Sequence, residues 1–149
     1  MKRSVLSVET ALYVWAFTLL LCGIAGCGPG GRATHPIKGQ VRVASGDSQV
    51  LGGHSLELAL ETDPQVRAFA AIDPDGRFKV ESLIDGVVRD GALEGRYRAR
   101  VVLGDDDPEQ QQRARAAISP KALSFDTSGL SIAVPSTGDV SLIIAGPAD

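Results

Sequence analysis

The sequence predicts an all-β domain of seven or so short strands, a β-sandwich or small barrel, behind an N-terminal targeting segment. Three observations carry this. Apolar residues recur with period two in several short runs. Turn chemistry interrupts those runs about every ten residues, as small all-β domains require. Composition agrees: 17 Gly and 8 Pro stand against 5% aromatic residues in a chain of 149, and no long segment carries a helical period.

Residues 1–26 read as a signal peptide. Lys2 and Arg3 give a positive start, Ala11–Cys22 (ALYVWAFTLLLC) an apolar stretch, and small residues follow. The stretch is shorter than the ~20 residues of a spanning helix, and Gly23, Gly26, Gly28 and Pro29 end it at once. A transmembrane anchor and simple secretion with cleavage are the alternatives. Against both stands Ile24-Ala25-Gly26-Cys27, which resembles the bacterial lipobox: an aliphatic residue, two small ones, then cysteine. The thiol is the side chain nucleophilic enough to take a lipid as a thioether, and Ile24, Ala25 and Gly26 fit a signal-peptidase pocket that admits only small residues before it. The resemblance implies that Cys27 becomes the mature N-terminus, carrying a diacylglyceryl thioether and an amide-linked acyl chain such as palmitate. Two or three such chains give stable anchoring where one does not. Cys22, the other of the 2 cysteines, leaves with the signal, so the mature chain has neither free thiol nor disulfide.

Residues 27–35 follow as the lipidated cysteine and a flexible tether, and 36–146 as the β-domain. Ile37–Val43 (IKGQVRV) and Ser55–Leu60 (SLELAL) alternate; Asp63-Pro64 then breaks the ladder. Val66–Ile72 is closed by Asp73-Pro74-Asp75-Gly76, the best turn signal in the chain. Phe78–Leu83 resumes, so 66–83 reads as a hairpin. Gly86–Gly95 reads as loop. Arg96–Leu103 sets Tyr97, Ala99, Val101 and Leu103 against arginines, the pattern of an antiparallel sheet with one wet face. In 105–117, Asp107 as N-cap and Pro108 at N1 suggest a short helix, though its thin apolar side fits a loop as well. Ser131–Val134 and Val140–Ala145 are the closing strands.

Several of these features fall in an order: Val41 with Gly52-Gly53 before a strand, Asp73-Pro74-Asp75-Gly76-Arg77-Phe78, Gly95-Arg96-Tyr97-Arg98-Ala99-Arg100-Val101, then Thr127-Ser128-Gly129-Leu130. The order resembles the small lipoproteins of planctomycete-type bacteria that carry a transthyretin-like, or carboxypeptidase regulatory-like, domain. Over roughly residues 37–144 the resemblance implies a single antiparallel β-sandwich of seven to eight strands. One departure is Pro120-Lys121-Ala122-Leu123, which lacks the aromatic the family often has there; Phe125 lies nearby instead. The family supplies no catalytic residues to carry over. It implies a binding or structural module of the cell envelope, lipid-anchored to the outer or cytoplasmic membrane and facing the periplasm or exterior.

The residues point the same way. Net charge is -3, and removing 1–26 leaves 13 basic against 17 acidic residues, with no basic patch or RNA-binding motif. Nucleic acid is therefore not expected as a partner. His35 and His54, the 2 histidines, have no third ligand at metal spacing, and no nucleophile elbow is present. Ser128 reads as turn chemistry. Calcium at Asp73 and Asp75 is the one metal reading worth weighing; it lacks a distant bidentate glutamate, and the turn forms without metal. The expectation is no metal, no cofactor and no enzyme. Arg96, Arg98 and Arg100, with Arg42, form a basic face that either meets Glu57, Glu61 and Glu81 across the sheet or binds an envelope protein or acidic glycan. The alternative function is a small-ligand or carbohydrate carrier accessory to an envelope enzyme.

Overall fold

A computed structural model describes residues 32–44 and 46–147. Nine strands form among them, most where the alternation predicts: β1 (Lys38–Val43), β2 (Ser55–Leu60), β3 (Arg67–Ala71), β4 (Arg77–Lys79), β5 (Glu81–Ile84), β6 (Val87–Asp90), β7 (Gly95–Val102), β8 (Leu130–Val134) and β9 (Val140–Ile144). They make two sheets, one of three strands in the order β4-β1-β9 and one of six in the order β6-β5-β3-β2-β7-β8. One helix, α1 (Pro108–Ala117), lies between β7 and β8. The described domain is thus mostly β.

The two sheets share one core. Val41, Phe78, Leu142 and Ile144 of the smaller sheet belong to the same buried cluster as Leu56, Leu58, Ala68, Tyr97, Val101 and Ile132 of the larger. Successive strand residues point to opposite faces, so SLELAL and GRYRARVV deliver their apolar set inward and their charged set outward. Tyr97 is the largest side chain buried outright; its hydroxyl donates to the Leu93 carbonyl at 3.0 Å, which satisfies the one polar atom it brings inside. Burial pushes the Tyr97 phenol above its ordinary range, a shift that the Leu93 carbonyl and the Arg32 charge each oppose.

Four details depart from the sequence reading. The first is the count, nine strands where seven to eight were expected. The run 86–95 is not all loop, because Val87–Asp90 forms β6 at the edge of the larger sheet. With both Val87 and Val88 exposed, β6 has no alternation to betray it.

The second concerns residues 66–83, which do not make a simple hairpin. The turn itself is present: the Gly76 N–H donates to the Asp73 carbonyl at 2.8 Å, and Gly76 has φ +79°. Beyond it, β4 pairs with β1 while β3 pairs with β5, leaving only the bridge Ile72↔Phe78 between the two arms. The crossing falls at fully buried Val80. Its N–H donates to Ile37 O at 2.9 Å, beside the smaller sheet, and its carbonyl accepts from Gly91 N at 2.7 Å, beside the larger.

Third, the sheets are not wholly antiparallel. β1 and β9 pair parallel from Gly39↔Val140 to Val43↔Ile144. The first and last strands lie side by side and run the same way, so nearly the whole domain is the connection a parallel pair needs. Fourth, of 105–117 only Pro108–Ala117 is helical, the short helix that Asp107 and Pro108 suggested rather than the loop that was its alternative. The Asp107 carboxylate accepts from Glu109 N and Gln110 N at 3.0 and 3.1 Å, and Pro108 occupies the first turn. Only Ala114 of the helix is buried. The side chains of Gln110 and Gln111 instead dock it, donating to the carbonyls of Gly52 and Gly104. Among the described residues no helix is long and apolar enough to cross a membrane.

The β1–β9 contact gives a direct test. A Cβ at Gly39 would strike the Val140 carbonyl and come within 2.8 Å of the Phe78 ring, whereas one at Gly138 meets nothing within 4 Å. Gly39→Ala is expected to lower unfolding stability by at least about 2 kcal/mol. Gly138→Ala should stay within about 0.5 kcal/mol of the parent. Urea midpoints of the two variants check this, and equal midpoints would contradict the register.

Candidate binding surface

The outer face of the larger sheet gathers the charged side chains that the alternation expels. In the β2–β7 register Glu57 lies opposite Arg100, and in the β2–β3 register it lies opposite Phe69. Ala59, two residues on, separates Arg67 from Arg98. Glu57 therefore sits between two guanidiniums. Its carboxylate accepts from Arg100 Nη2 and Nε at 2.6 and 2.7 Å and from Arg67 Nη1 at 3.4 Å. Its side chain keeps only 14% exposure, against 35% and 37% for the arginines.

The Phe125 ring completes the cluster. Arg67 Cζ stands 4.7 Å and Arg100 Cζ 4.8 Å from its centroid, within cation–π range. Next to it, Asp126 takes Arg98 Nη1 at 2.7 Å. The segment between α1 and β8 is thus laid onto the outer face by Phe125 and Asp126. It is also pinned from beneath, where Ser128 Oγ donates to Ala99 O at 2.6 Å and accepts from Leu130 N at 3.2 Å. The turn reading of Ser128 describes this role.

The basic face of the sequence reading is thereby redrawn. Arg98 and Arg100 belong to it and Glu57 is their acidic neighbour, as the period implied. No ion pair links either arginine to Glu61 or Glu81, and Asp126 takes the second place. Arg42 lies on β1 in the other sheet, donating to Gln40 Oε1 at 2.9 Å. Arg67, Phe125 and Asp126 were missed. Arg67 belongs to a strand whose charged member stood alone, and the other two sit in a loop whose return to the sheet no local pattern signals. With Arg67, Arg98 and Arg100 engaged, this part of the face is a closed ionic and aromatic cluster rather than an open anion site; Arg96, exposed near the start of β7, makes no ion pair with the described residues.

The smaller sheet offers a more open surface. Lys38, Gln40, Arg42, Arg77 and Lys79 line a groove of about 480 Å³, with Asp73 and Asp139 at its borders. Acidic partners offset three of its cations: Lys38–Asp139 at 3.5 Å, Arg77–Asp75 at 3.1 Å and Lys79–Asp90 at 2.8 Å. Asp75, weighed above for calcium, thus has one oxygen on Arg77 Nε, and its other accepts from Arg77 N at 3.2 Å. Among the described residues no three His, Cys, Asp or Glu side chains are grouped to hold a metal ion.

His54 opens β2 and is buried. Its Nδ1 accepts from Gly104 N at 3.1 Å, beside the glutamines that dock α1, and its Nε2 is buried with no partner. An accepting Nδ1 requires the neutral ring. Burial accordingly lowers the His54 pKa below the ordinary 6.5, outweighing the nearby Asp107 charge. His35 makes its contacts through the backbone, in a bridge with Ala92. Ile24, Ala25, Gly26 and Cys27 lie outside the described residues. Compared with protein-family models, curated proteins and solved structures, the chain finds no significant match.

Two outcomes follow from this geometry. Glu57→Gln leaves two half-buried guanidiniums short of a charge and should lower stability by about 1–2 kcal/mol. Phe125→Ala should cost about as much, and a double-mutant cycle should show coupling above about 0.5 kcal/mol, since both act through the same arginines. Additive losses would show that the ring and the ion pairs hold the loop independently. For His54, the unfolded chain takes up a proton near 6.5 while the folded ring resists until lower pH. Stability should therefore be full above 6.5 and fall as pH drops from there toward the lowered folded value. His54→Gln keeps an acceptor toward Gly104 without titrating. Denaturation midpoints across that window should slope less for this variant than for the parent, and parallel slopes would remove His54 as the cause.

Proposed function

We propose that this chain is a lipid-anchored bacterial envelope protein whose transthyretin-like β-sandwich serves as a non-catalytic binding or structural module. The observation that carries the reading is the position of Ile24-Ala25-Gly26-Cys27 immediately after the apolar run that begins at residue 11. A thiol preceded by two small residues suits acylation, and two or more acyl chains hold a protein to a bilayer. The two-sheet domain supports the module half of the reading. Its interior is filled by aliphatic side chains with Tyr97 and Phe78, and on its larger face Arg67, Arg98 and Arg100 are spent on Glu57 and Asp126. The sandwich type rests on the order of the turn motifs, with a mixed three-plus-six division of strands as this chain's own variation.

A second reading, a carbohydrate carrier accessory to an envelope enzyme, draws on the smaller sheet. Its groove sets Lys38, Arg42, Arg77 and Lys79 around Gln40, a mixture of cations and amide suited to the carboxylates and hydroxyls of an acidic glycan. Titration of labelled protein with an acidic oligosaccharide separates the readings. Resonance shifts confined to these residues would favour the carrier.

The anchor has its own test. In an expressing bacterium the parent should fractionate with membranes and show a mature chain starting at Cys27 with added acyl mass. Cys27→Ala should show neither the acyl mass nor the Cys27 terminus. A parent chain found unmodified, or retaining 1–26 without lipid, would overturn the proposal.

A further inference from the structure

Among the described residues six large apolar side chains are exposed, and four of them lie together: Phe69 on β3, Leu83 on β5, and Val87 and Val88 on β6. Leu83 and Val88 are directly opposed across the β5–β6 ladder, at 61% and 65% exposure. Phe69 shares the outer face with Leu83 and lines a groove of about 350 Å³ with it. Val87, opposite Ile84, points to the other face and is still 53% exposed. The hairpin therefore presents apolar surface on both sides, at the edge of the larger sheet. Soluble proteins ordinarily guard such an edge.

The chain enters the domain at this same edge. Arg32 lines the groove with Phe69 and Leu83. His35 is fixed by two backbone hydrogen bonds to Ala92, 2.8 and 3.1 Å, and Ala92 follows β6 with only Gly91 between. Seven residues lie between Cys27 and His35, eight steps along the chain. Even fully extended they reach roughly 25–30 Å. A lipid on Cys27 would thus hold the base of this hairpin within that distance of the bilayer, and the hairpin, four residues a side, is short on that scale.

We infer that the β5–β6 hairpin, with Phe69, docks on the phospholipid surface to which Cys27 ties the chain. This rests on the lipid-anchor reading above. The charges around the patch suit an interface rather than a deep insertion. Asp85 and Gly86 make a polar tip, so the sides of the strands meet the lipid instead of the turn. Glu81, Asp85 and Asp90 are balanced by Arg32, Arg89 and Lys79, the last paired with Asp90 at 2.8 Å, so contact does not depend on anionic headgroups. Docking would set the larger sheet's edge against the membrane and leave the β8 edge, at the far side of the same sheet, toward the aqueous phase.

The test uses the full chain expressed in a bacterium, purified from its membranes and returned to phosphatidylethanolamine–phosphatidylglycerol vesicles. With Cys27 acylated and Cys22 removed, an introduced cysteine is the only thiol, so a spin label can be placed at Val87→Cys or, on β8, at Ser131→Cys. The label at 87 should collide with oxygen several-fold more, relative to an aqueous nickel chelate, than the label at 131, and salt should not abolish the difference. Adding Leu83→Asp and Val88→Asp should make the label at 87 aqueous while the acyl mass on Cys27 is unchanged. Equal aqueous exposure at 87 and 131, with acyl mass present, overturns the docking and leaves the anchor standing. Dipolar broadening between labels at 87 would mean that a second copy covers the hairpin, which also overturns it. Absence of acyl mass overturns the anchor and the docking together.

Discussion

Six register pairs between β2 and β7, from Ser55↔Val102 to Leu60↔Tyr97, fix nearly everything else in the domain. Both strands alternate strictly, so one pairing decides two surfaces at once. On the inner side it stacks Leu56, Leu58 and Leu60 beside Val101, Ala99 and Tyr97, the centre of the shared core. On the outer side it sets Glu57 against Arg100 and so creates the seat that Phe125 and Asp126 later occupy. A slip of one residue would bury Glu57 and expose the leucines if β2 moved, or bury three arginines and expose Tyr97 and Val101 if β7 did. Such a change is prohibitive, because unpaired buried charges cost several kcal/mol each. The register is held from both faces.

From this pair outward, legibility declines with the distance over which a residue's partner must be found. The alternation of β1, β2, β7 and the closing strands was readable because period two is local. So were Asp107-Pro108 as a helix start and the Asp73–Gly76 turn, whose chemistry lies within four residues. What could not be read was which sheet each strand joins. The exchange at Val80 turns on one buried residue bonding toward both sheets, and nothing in Phe-Lys-Val-Glu-Ser-Leu marks a break there. The parallel β1–β9 pair is set by where the two ends of the domain meet. On the candidate surface the same rule holds. Glu57, Arg98 and Arg100 were legible as one face, whereas Phe125 reaches that face from a loop 25 residues further along than Arg100.

α1 follows a different logic. Its inward side offers little apolar area, so it cannot be held by burial as most surface helices are. Gln110 and Gln111 hold it instead, through carbonyls of the loops at the two strand ends, and His54 lies beneath as an acceptor for Gly104. Hydrogen bonds of this kind give order without much net stability. Sequence alone left α1 between helix and loop for a physical reason: its cap was evident and its docking was not apolar.

The edges complete the argument. An open sheet must end somewhere, and β6 ends the larger one with exposed Val87 and Val88 in its first half, leaving only Arg89 and Asp90 as charged guards. In free solution that is a liability. The proposed confinement to a membrane would sharpen it, since tethered copies share a thin layer and meet far more often than they would in bulk at equal numbers. An apolar edge is tolerable there only if something nearer than a second copy covers it. If Cys27 carries lipid as proposed, the bilayer would be nearer, because the chain enters the domain at His35, beside Ala92 at the base of the same hairpin. The short tether and the unguarded edge are then one arrangement. On the proposed anchor, the length of 27–35 would keep β6 within reach of lipid, and lipid would supply the cover that its two exposed valines lack.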